Sequence, residues 1–329
     1  MPPLRFLFTL LFFGVSTLTS LSSCEAGGGF LFVTFKGEKD AMGEQIYFGL
    51  SRDGLAWEVL NRSQPVLVSD QGEKGARDPY LLRSHDGKTF YILATDLSMF
   101  HNRNWGRAAR QGSRSLLIWE SRNLVQWSKA RLVKLAPDDA GCLWAPEAIF
   151  DDETGDYLIY WASTTGRDQF SKQRIWAART RDFQTFSQPF IYIEKPTTII
   201  DTDIVRAEGK YYRFTKDEHF RAITMEVGDK LSGPWRDVPG FSLAQLRNYE
   251  GPACFQIKPA DAAQPATWCL LLDQCANGYG YHPFISSSLA EGQFTPETGV
   301  SFPFLFRHGS ILPVNEEEYT RLKTAFPSE

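Results

Sequence analysis

Apolar and polar positions alternate along most of the chain in short runs, and turns rich in Gly and acidic residues separate the runs. Three pairs of such runs lie at residues 78–82 with 90–93, 148–150 with 157–161, and 203–205 with 211–214. The connecting turns contain Asp-Gly, Thr-Gly and Glu-Gly pairs, which is the chemistry of β-hairpins. In the rest of the chain a helical period is visible only near the C-terminus, at residues 316–324. The pattern therefore predicts an all-β fold of antiparallel hairpins.

A polar turn that ends in an aromatic residue recurs through the chain. Its copies lie at residues 51–57, 121–127, 180–186, 228–235 and, in degenerate form, 286–294. Their terminal aromatic residues follow one another at intervals of 70, 59, 49 and 59 residues. Repeats of this length are typical of β-propellers, in which each repeat is one four-stranded blade.

The two ends of the chain complement each other. The N-terminal copy has strands at residues 30–35 and 45–50 but no inner strand before them, whereas residues 307–314 have the pattern of an inner strand without partners. Joining the two gives a complete blade, and such ring closure removes exposed sheet edges. We therefore predict a single five-bladed β-propeller over residues 30–329, whose closing blade is shared by the N- and C-terminal segments.

The first residues have the pattern of an export signal. Arg5 precedes an apolar run at residues 6–18, which is long enough for a signal peptide and too short for a membrane span. We predict a signal peptide at residues 1–23 and a location in the bacterial cell envelope.

The segment after this run is similar to the bacterial lipobox. It reads Leu-Ser-Ser-Cys at residues 21–24, and in a lipobox the Cys becomes the lipid-modified first residue of the mature protein. We therefore predict lipid attachment at Cys24 and a tether at residues 24–29. Ordinary secretory cleavage near Ala26 is the alternative.

Charge and cysteine content argue against two classes of function. Lys and Arg total 35 against 39 Asp and Glu, and no basic stripe is visible, so we expect no nucleic-acid partner. The remaining cysteines, Cys142, Cys254, Cys269 and Cys275, lack the spacing of zinc ligands. Cys254 and Cys269 fall on strands predicted to be neighbours, which allows a disulfide between them without requiring one.

Acidic residues recur at the start of the predicted inner strands, at Asp78, Glu147, Asp201, Asp203 and Glu250. In a propeller the inner strands line the central channel, so residues at their starts converge on one face. Convergent carboxylates repel one another and shift each other's pKa values. Glycoside hydrolysis uses such a set, because one carboxyl group protonates the leaving oxygen while another activates water.

The order of these motifs resembles glycoside hydrolase family 43. The motifs are Arg77-Asp78-Pro79, Trp144-Ala145-Pro146, Ile200-Asp201, Glu250-Gly251-Pro252 and Arg307-His308-Gly309. The resemblance covers nearly all of the mature chain. It implies a five-bladed propeller and an inverting hydrolase of arabinofuranosyl, xylosyl or galactofuranosyl linkages in plant-type oligo- or polysaccharides.

The same resemblance implies roles for individual residues. Asp78 would be the general base, Asp201 the pKa modulator and Glu250 the general acid. The expected substrate contacts are Arg77, Trp144, Glu147, Asp203 and His308. His308 resembles a channel histidine that, in some members, contacts a metal ion or water; we expect no required cofactor.

Several alternatives stay open at this stage. The third motif has Thr202 where proline is common, and the acid that follows it, Asp203, is an alternative modulator. A non-catalytic carbohydrate-binding propeller lipoprotein is the alternative function. A related propeller family that retains configuration is a third, since a base–acid separation of roughly 6.5–9.5 Å implies inversion and about 5–5.5 Å implies retention. We expect a monomer whose specificity depends on predicted loops at residues 100–112 and 274–282.

Overall fold

The computed structural model describes residues 28–274, 280–300, 302–303 and 305–328 of the 329-residue chain. The predicted signal peptide, the lipid-attachment site Cys24 and Cys275 lie outside the described residues. Within the described ranges, no helix is both long and apolar enough to cross a membrane.

Short antiparallel strands make up nearly all of the regular structure. The first are β1 (Gly29–Thr34), β2 (Tyr47–Ser51), β3 (Glu58–Val59), β4 (Ala76–Arg83), β5 (Phe90–Asp96), β6 (Ser115–Ser121) and β7 (Arg131–Lys134). The next are β8 (Trp144–Asp151), β9 (Asp156–Ser163), β10 (Arg174–Thr180), β11 (Phe190–Ile193), β12 (Ile199–Ala207), β13 (Lys210–Asp217), β14 (Ala222–Gly228) and β15 (Trp235–Asp237). The last are β16 (Glu250–Lys258), β17 (Thr267–Asp273), β18 (Tyr281–Ser286), β19 (Thr295–Pro296) and β20 (Ser310–Val314).

The strands form five four-stranded sheets arranged as the blades of a propeller. Four blades are consecutive along the chain, β4 to β7, β8 to β11, β12 to β15 and β16 to β19, each with its first strand innermost. The fifth has the order β20-β1-β2-β3. The predicted five-bladed β-propeller is confirmed.

The closing blade is built from both ends of the chain. Leu31 of β1 lies opposite Leu50 of β2 on one side and Leu312 of β20 on the other. β1 begins at Gly29, the last residue of the predicted tether. The predicted sharing of this blade is therefore also confirmed, and it leaves the ring of sheets closed.

The recurring polar turn connects the third and fourth strands of a blade. In the first copy the Ser51 hydroxyl oxygen accepts the Gly54 N–H at 2.9 Å, and Ser121 accepts the Leu124 N–H at 3.0 Å. Thr180 forms the same contact in the next blade. A hydroxyl that satisfies backbone donors in a turn explains why Ser or Thr recurs at this position.

Cys254 and Cys269 do not form the disulfide that the sequence allowed. Both are buried free thiols, as is Cys142. Cys254 lies opposite Leu270, and Cys269 lies opposite Phe255. Because successive strand residues point to opposite faces, the two thiols pack into different apolar clusters on the two sides of their blade.

The α-helices of the described residues are α1 (Met99–Asn102), α2 (Trp105–Gln111) and α3 (Glu316–Ala325). Short 3₁₀-helices lie at Asn61–Ser63 and Gly166–Asp168. α3 confirms the helical period near the C-terminus, and Asn315 and Glu318 form a capping box at its start. α1 and α2 replace most of the loop expected at residues 100–112. They form an insert between β5 and β6 on the face of the propeller where the inner strands begin.

Candidate active site

A β-bulge is repeated at the start of four inner strands. The extra residue of each bulge has a left-handed backbone, with φ of 50° at Asp78, 46° at Ala145, 48° at Asp201 and 52° at Gly251. Bulges turn side chains away from the regular alternation of a strand and are common beside active sites. At Gly251 the bulge requires glycine, because a Cβ there would lie 2.6 Å from the His308 ring.

Side chains from all five blades line one cavity of about 390 Å³, and in four blades a bulge sets their direction. Its wall includes the residues that precede the bulge in the four blades and the corresponding residue of the fifth, namely Arg77, Trp144, Ile200, Glu250 and Arg307. Asp78, Asp201 and His308, one residue further along, also line the cavity. The structure thus brings together the three carboxylates that the motifs singled out.

Asp78 is held by a short hydrogen-bond chain between two blades. The Thr95 hydroxyl donates to Asp78 Oδ2 at 2.9 Å and accepts the Ala145 N–H at 2.8 Å. A hydroxyl has a single proton, and Thr95 donates it to Asp78. The other carboxylate oxygen, Oδ1, lies 3.6 Å from His308 Nδ1.

Asp201 is the most enclosed of the three carboxylates. Its Oδ2 accepts the Gly251 N–H at 3.0 Å and lies 3.8 Å from His308 Nδ1. Burial raises the Asp201 pKa to about 7; His308 and Lys216 oppose the rise, and Glu250 adds to it. Asp201 therefore holds its proton well above the range of an exposed aspartate.

Glu250 lies between two cations. The Lys216 ammonium donates to Glu250 Oε2 at 2.8 Å, and Arg307 lies 3.5 Å from Oε1. Lys216 is almost fully buried and also contacts Glu218 at 2.8 Å. Arg307 is anchored in turn by Asp273 at 2.7 Å. These pairs fix the direction of the Glu250 carboxyl group toward the cavity.

Glu147 and Asp203 do not line the cavity, in contrast to the expected substrate contacts. Both side chains are buried beneath it, because they come two residues after the bulge, where the strand has resumed its alternation. Tyr160 donates to Glu147 at 3.0 Å, and Asp203 accepts the Cys254 N–H at 2.7 Å. Burial raises the pKa of Asp203 to about 7 and that of Glu147 well above its usual value.

His308 lies at the centre of the cavity wall, between two carboxylates. Within the described part of the chain, no group of three or more His, Cys, Asp or Glu side chains is arranged to hold a metal ion. The His308 backbone N–H donates to Asp273 at 3.1 Å, and its ring lies between Asp78 and Asp201. The ring therefore separates two carboxylates, which would otherwise repel each other more strongly.

One wall of the cavity is aromatic. Trp144 lies there as predicted, and Trp105, at the first position of α2, meets it edge to face with ring centroids 6.0 Å apart. The Trp105 ring is half exposed. Arg77 lies on this side too, with its guanidinium 5.3 Å from the Trp105 ring centroid. The corner they form can contact an apolar sugar face and sugar hydroxyls together.

Sequence reasoning missed Lys216, which pairs with Glu250, and four residues that line the cavity, Glu38, Leu97, Trp105 and Glu218. The burial of Lys216 could have been predicted, because it lies on the same strand face as Tyr212 and Phe214 of β13. A lysine on a buried strand face needs a carboxylate partner. Trp105 had a weaker one, since Asn104 has the pattern of a helix N-cap and its side chain accepts the Arg107 N–H.

Comparisons with known proteins point in one direction. Residues 25–320 match the sequence model of the family-43-related family described as "Probable glycosyl hydrolase domain". An α-L-arabinofuranosidase of Bifidobacterium longum subsp. longum is 30% identical over 274 residues, a match that covers 71% of this chain and 25% of that protein. The chain thus spans about a quarter of the length of that relative.

Two solved structures align with about 70% of this chain. A thermostable family-43 glycoside hydrolase aligns with a TM-score of 0.47 and 15% identity, over 69% of this chain and 73% of that one. An exo-β-1,3-galactanase from Phanerochaete chrysosporium aligns with a TM-score of 0.48 and 15% identity, over 70% of this chain and 53% of that one.

Proposed function

Because this chain belongs to the glycosyl hydrolase family 43-related domain family, we propose that it is an inverting glycoside hydrolase acting on plant-type oligo- or polysaccharides. The observation that carries the proposal is that Asp78, Asp201 and Glu250, from three different blades, share one cavity. The bonds proposed for cleavage are arabinofuranosyl, xylosyl or galactofuranosyl linkages. The similar α-L-arabinofuranosidase makes the arabinofuranosyl linkage the first to test.

In the proposed reaction Asp78 is the general base. The proton of the Thr95 hydroxyl is committed to Asp78 Oδ2, which leaves Oδ1 to accept a proton from water. That water attacks the anomeric carbon from the face opposite the leaving group. The fixed direction of the carboxylate matters because the gain from positioning a reactant is lost with small displacements.

Glu250 is the proposed general acid, and Asp201 the residue that controls its proton. Burial raises the Asp201 pKa to about 7 and the Glu250 charge adds to the rise, so the two carboxyl groups influence each other's ionisation near neutral pH. Glu250 passes its proton to the leaving oxygen as the glycosidic bond breaks. Asp203 is a weaker candidate for the modulator, because it lies beneath the cavity wall.

Two conservative variants test these roles. We expect Asp78→Asn and Glu250→Gln each to lower kcat on arabino-oligosaccharides by about 10²–10⁴-fold, while both variants still fold. Exposed carboxylates far from the cavity provide matched controls, Asp229→Asn and Glu291→Gln. Proton NMR of the first sugar released should show the inverted anomer. Full activity in either cavity variant would refute the assignment, and oligosaccharide binding without any release would favour the non-catalytic alternative.

We also propose that the reaction requires no metal ion, because the carboxyl groups of the cavity can supply both the acid and the base of glycoside hydrolysis. The enzyme should keep its activity and its melting temperature after dialysis against EDTA. Loss of activity that Ca²⁺ restores would contradict this proposal.

Export and lipid attachment at Cys24 are proposed from the motif at residues 21–24. Wild-type protein expressed in a Gram-negative host should incorporate labelled palmitate, whereas Cys24→Ser should not and Ser23→Ala should. Equal labelling of the Cys24 variant would exclude attachment there. We further propose that the propeller acts as a monomer in the cell envelope, which light scattering of the soluble domain would test.

A further inference from the structure

A second concave surface lies next to the cavity, on the other side of the turn that joins β13 and β14. It encloses about 460 Å³ on the outer side of the blade formed by β12 to β15. Its floor is apolar and includes Ile223, Met225 and Phe241. We call it the outer groove, and its rim carries Phe220 together with Asp237, Gln245 and Arg247.

The outer groove and the cavity share a wall. β13 and β14 are joined by a turn at residues 218–221, in which Glu218 lines the cavity and Phe220 lines the groove. Two residues of extended chain span at most about 7 Å, so the two surfaces are neighbours. Only this turn separates the two surfaces, so one linear molecule could contact both.

Three hydrogen bonds hold the backbone of the turn that the two surfaces share. Asp217 accepts the Phe220 N–H at 2.9 Å and the Thr197 hydroxyl at 2.6 Å. The Arg221 carbonyl accepts the Asn248 N–H at 3.1 Å, which ties the turn to the segment that precedes Glu250. These bonds fix the backbone at Phe220, and the Phe220 ring packs edge to face against His219 with centroids 4.8 Å apart.

Phe220 is an exposed aromatic residue on this fixed turn. Its side chain is 58% exposed, the largest value among the exposed large apolar residues of the described chain. An apolar floor with a few polar groups at the rim is the usual composition of a site for a small or linear ligand. An exposed aromatic ring on a turn whose backbone is fixed can stack against the C–H face of a sugar.

We propose that the outer groove binds the sugar residues next to the one that is cleaved, as a second subsite for a neutral polysaccharide. Phe220 supplies the stacking surface, while Asp237, Gln245 and Arg247 accept from and donate to sugar hydroxyls. The rim carries both signs of charge, which fits a neutral chain better than a polyanion. The proposal rests on the proposed function, since it makes the groove an extension of the same substrate site.

The test compares a polymer with a small substrate. Phe220→Ala should lower kcat/KM on arabinan or arabinoxylan by roughly five- to tenfold and leave kcat/KM on the nitrophenyl arabinoside unchanged. Gln245→Ala should do the same to a smaller extent. Phe190→Ala is the matched control, because Phe190 is also exposed but lies on β11, outside both surfaces. It should alter neither substrate.

Binding without turnover separates this proposal from the proposed function. In the Glu250→Gln background, affinity electrophoresis in gels containing the same polysaccharides should show retardation that Phe220→Ala weakens and Phe190→Ala does not. If the wild type hydrolyses nothing yet is retarded through Phe220, the proposed function fails and the groove stands. Unchanged polymer kinetics and retardation in Phe220→Ala would overturn the groove proposal. So would a concentration-dependent dimer that Phe220→Ala abolishes, because the groove would then be an interface between copies.

Discussion

At the scale of single residues, the site depends on neutral donors as much as on its charged groups. Thr95 shows this most clearly, because one hydroxyl connects the Asp78 carboxylate to the Ala145 N–H of the next blade. Removing that hydroxyl affects both the direction of Asp78 and the satisfaction of a buried donor. An unsatisfied buried donor costs about 1–3 kcal/mol of folding free energy.

Thr95→Val should therefore lower kcat by roughly 10- to 100-fold through misplacement of Asp78. It should also lower the free energy of unfolding by about 1–3 kcal/mol. Thr95→Ser keeps the hydroxyl and should retain most of the activity. Steady-state kinetics and urea unfolding of the two variants measure both effects, and equal activity of Val and Ser variants would contradict the role given to Thr95.

The buried carboxylate Asp203 makes stability depend on pH. Burial raises its folded-state pKa to about 7, whereas the unfolded chain titrates near 4. Below that range both states carry the proton. Between about 4 and 7 only the folded state keeps it, so the free energy of unfolding falls as pH rises and levels off above about 7.

Asp203→Asn removes this dependence and keeps an oxygen that can accept the Cys254 N–H. The difference in unfolding free energy, variant minus wild type, should grow by about 1 kcal/mol per pH unit between pH 4 and 7. The exposed control Asp70→Asn should show no such trend. Urea unfolding across this pH range measures the difference, and a slope of opposite sign would mean that Asp203 is ionised in the folded state.

At the scale of elements, the repeated bulge explains which predictions from the sequence were right. The motifs located the starts of the inner strands, because polar residues interrupt an apolar run there. The same motifs could not give side-chain direction, since each bulge inserts one residue and reverses the alternation after it. Asp201 therefore faces the cavity, while Asp203 and Glu147 lie below it. A helix of only four residues, such as α1, is too short to show a helical period in the sequence.

A buried carboxylate, Glu44, attaches the start of the insert formed by α1 and α2 to the propeller. Its Oε1 accepts from Arg77 and the Met99 N–H, both at 2.7–2.8 Å. Its Oε2 accepts from the Ser98 hydroxyl at 2.8 Å and the Phe100 N–H at 3.0 Å. Because both oxygens accept, an amide in this place would turn an NH₂ group toward other donors.

Glu44→Gln should consequently destabilise the protein by about 3–5 kcal/mol, the cost of breaking a buried ion pair from one side. Loosening of the insert that carries Trp105 should also raise KM. Glu38→Gln removes the partially exposed partner of the same Arg77 and should cost less than about 1 kcal/mol. Urea unfolding compares the two variants, and similar losses would show that Glu44 does not attach the insert.

At the scale of the whole molecule, the closing blade makes the ring a single unit. The blade count followed from the repeat spacing and from two incomplete ends, and both are properties that a sequence shows directly. The closure is reinforced outside the sheet by α3. Tyr319 and Leu322 of this helix are buried against the closing blade and its neighbour, and Arg83 pairs with Glu318 at 2.5 and 2.8 Å.

Two truncations separate the helix from the strand. A chain that ends at residue 315 lacks α3 and loses the burial of Tyr319 and Leu322, worth about 1.5–3 kcal/mol each. It should still fold, with a lower urea midpoint. A chain that ends at residue 309 also lacks β20, which pairs with β1 and whose Ser310 hydroxyl accepts the Leu81 N–H of the next inner strand.

Loss of β20 opens the ring and exposes the edge of β1, where other chains can pair. We therefore expect the chain ending at residue 309 to aggregate or to lack a cooperative transition, rather than to lose one blade locally. Size exclusion and urea unfolding monitored by tryptophan fluorescence distinguish these outcomes. A monomer with a wild-type midpoint would mean that each blade folds on its own and that closure adds no stability. In that case the five strand starts could shift independently, and the shared cavity would need another explanation.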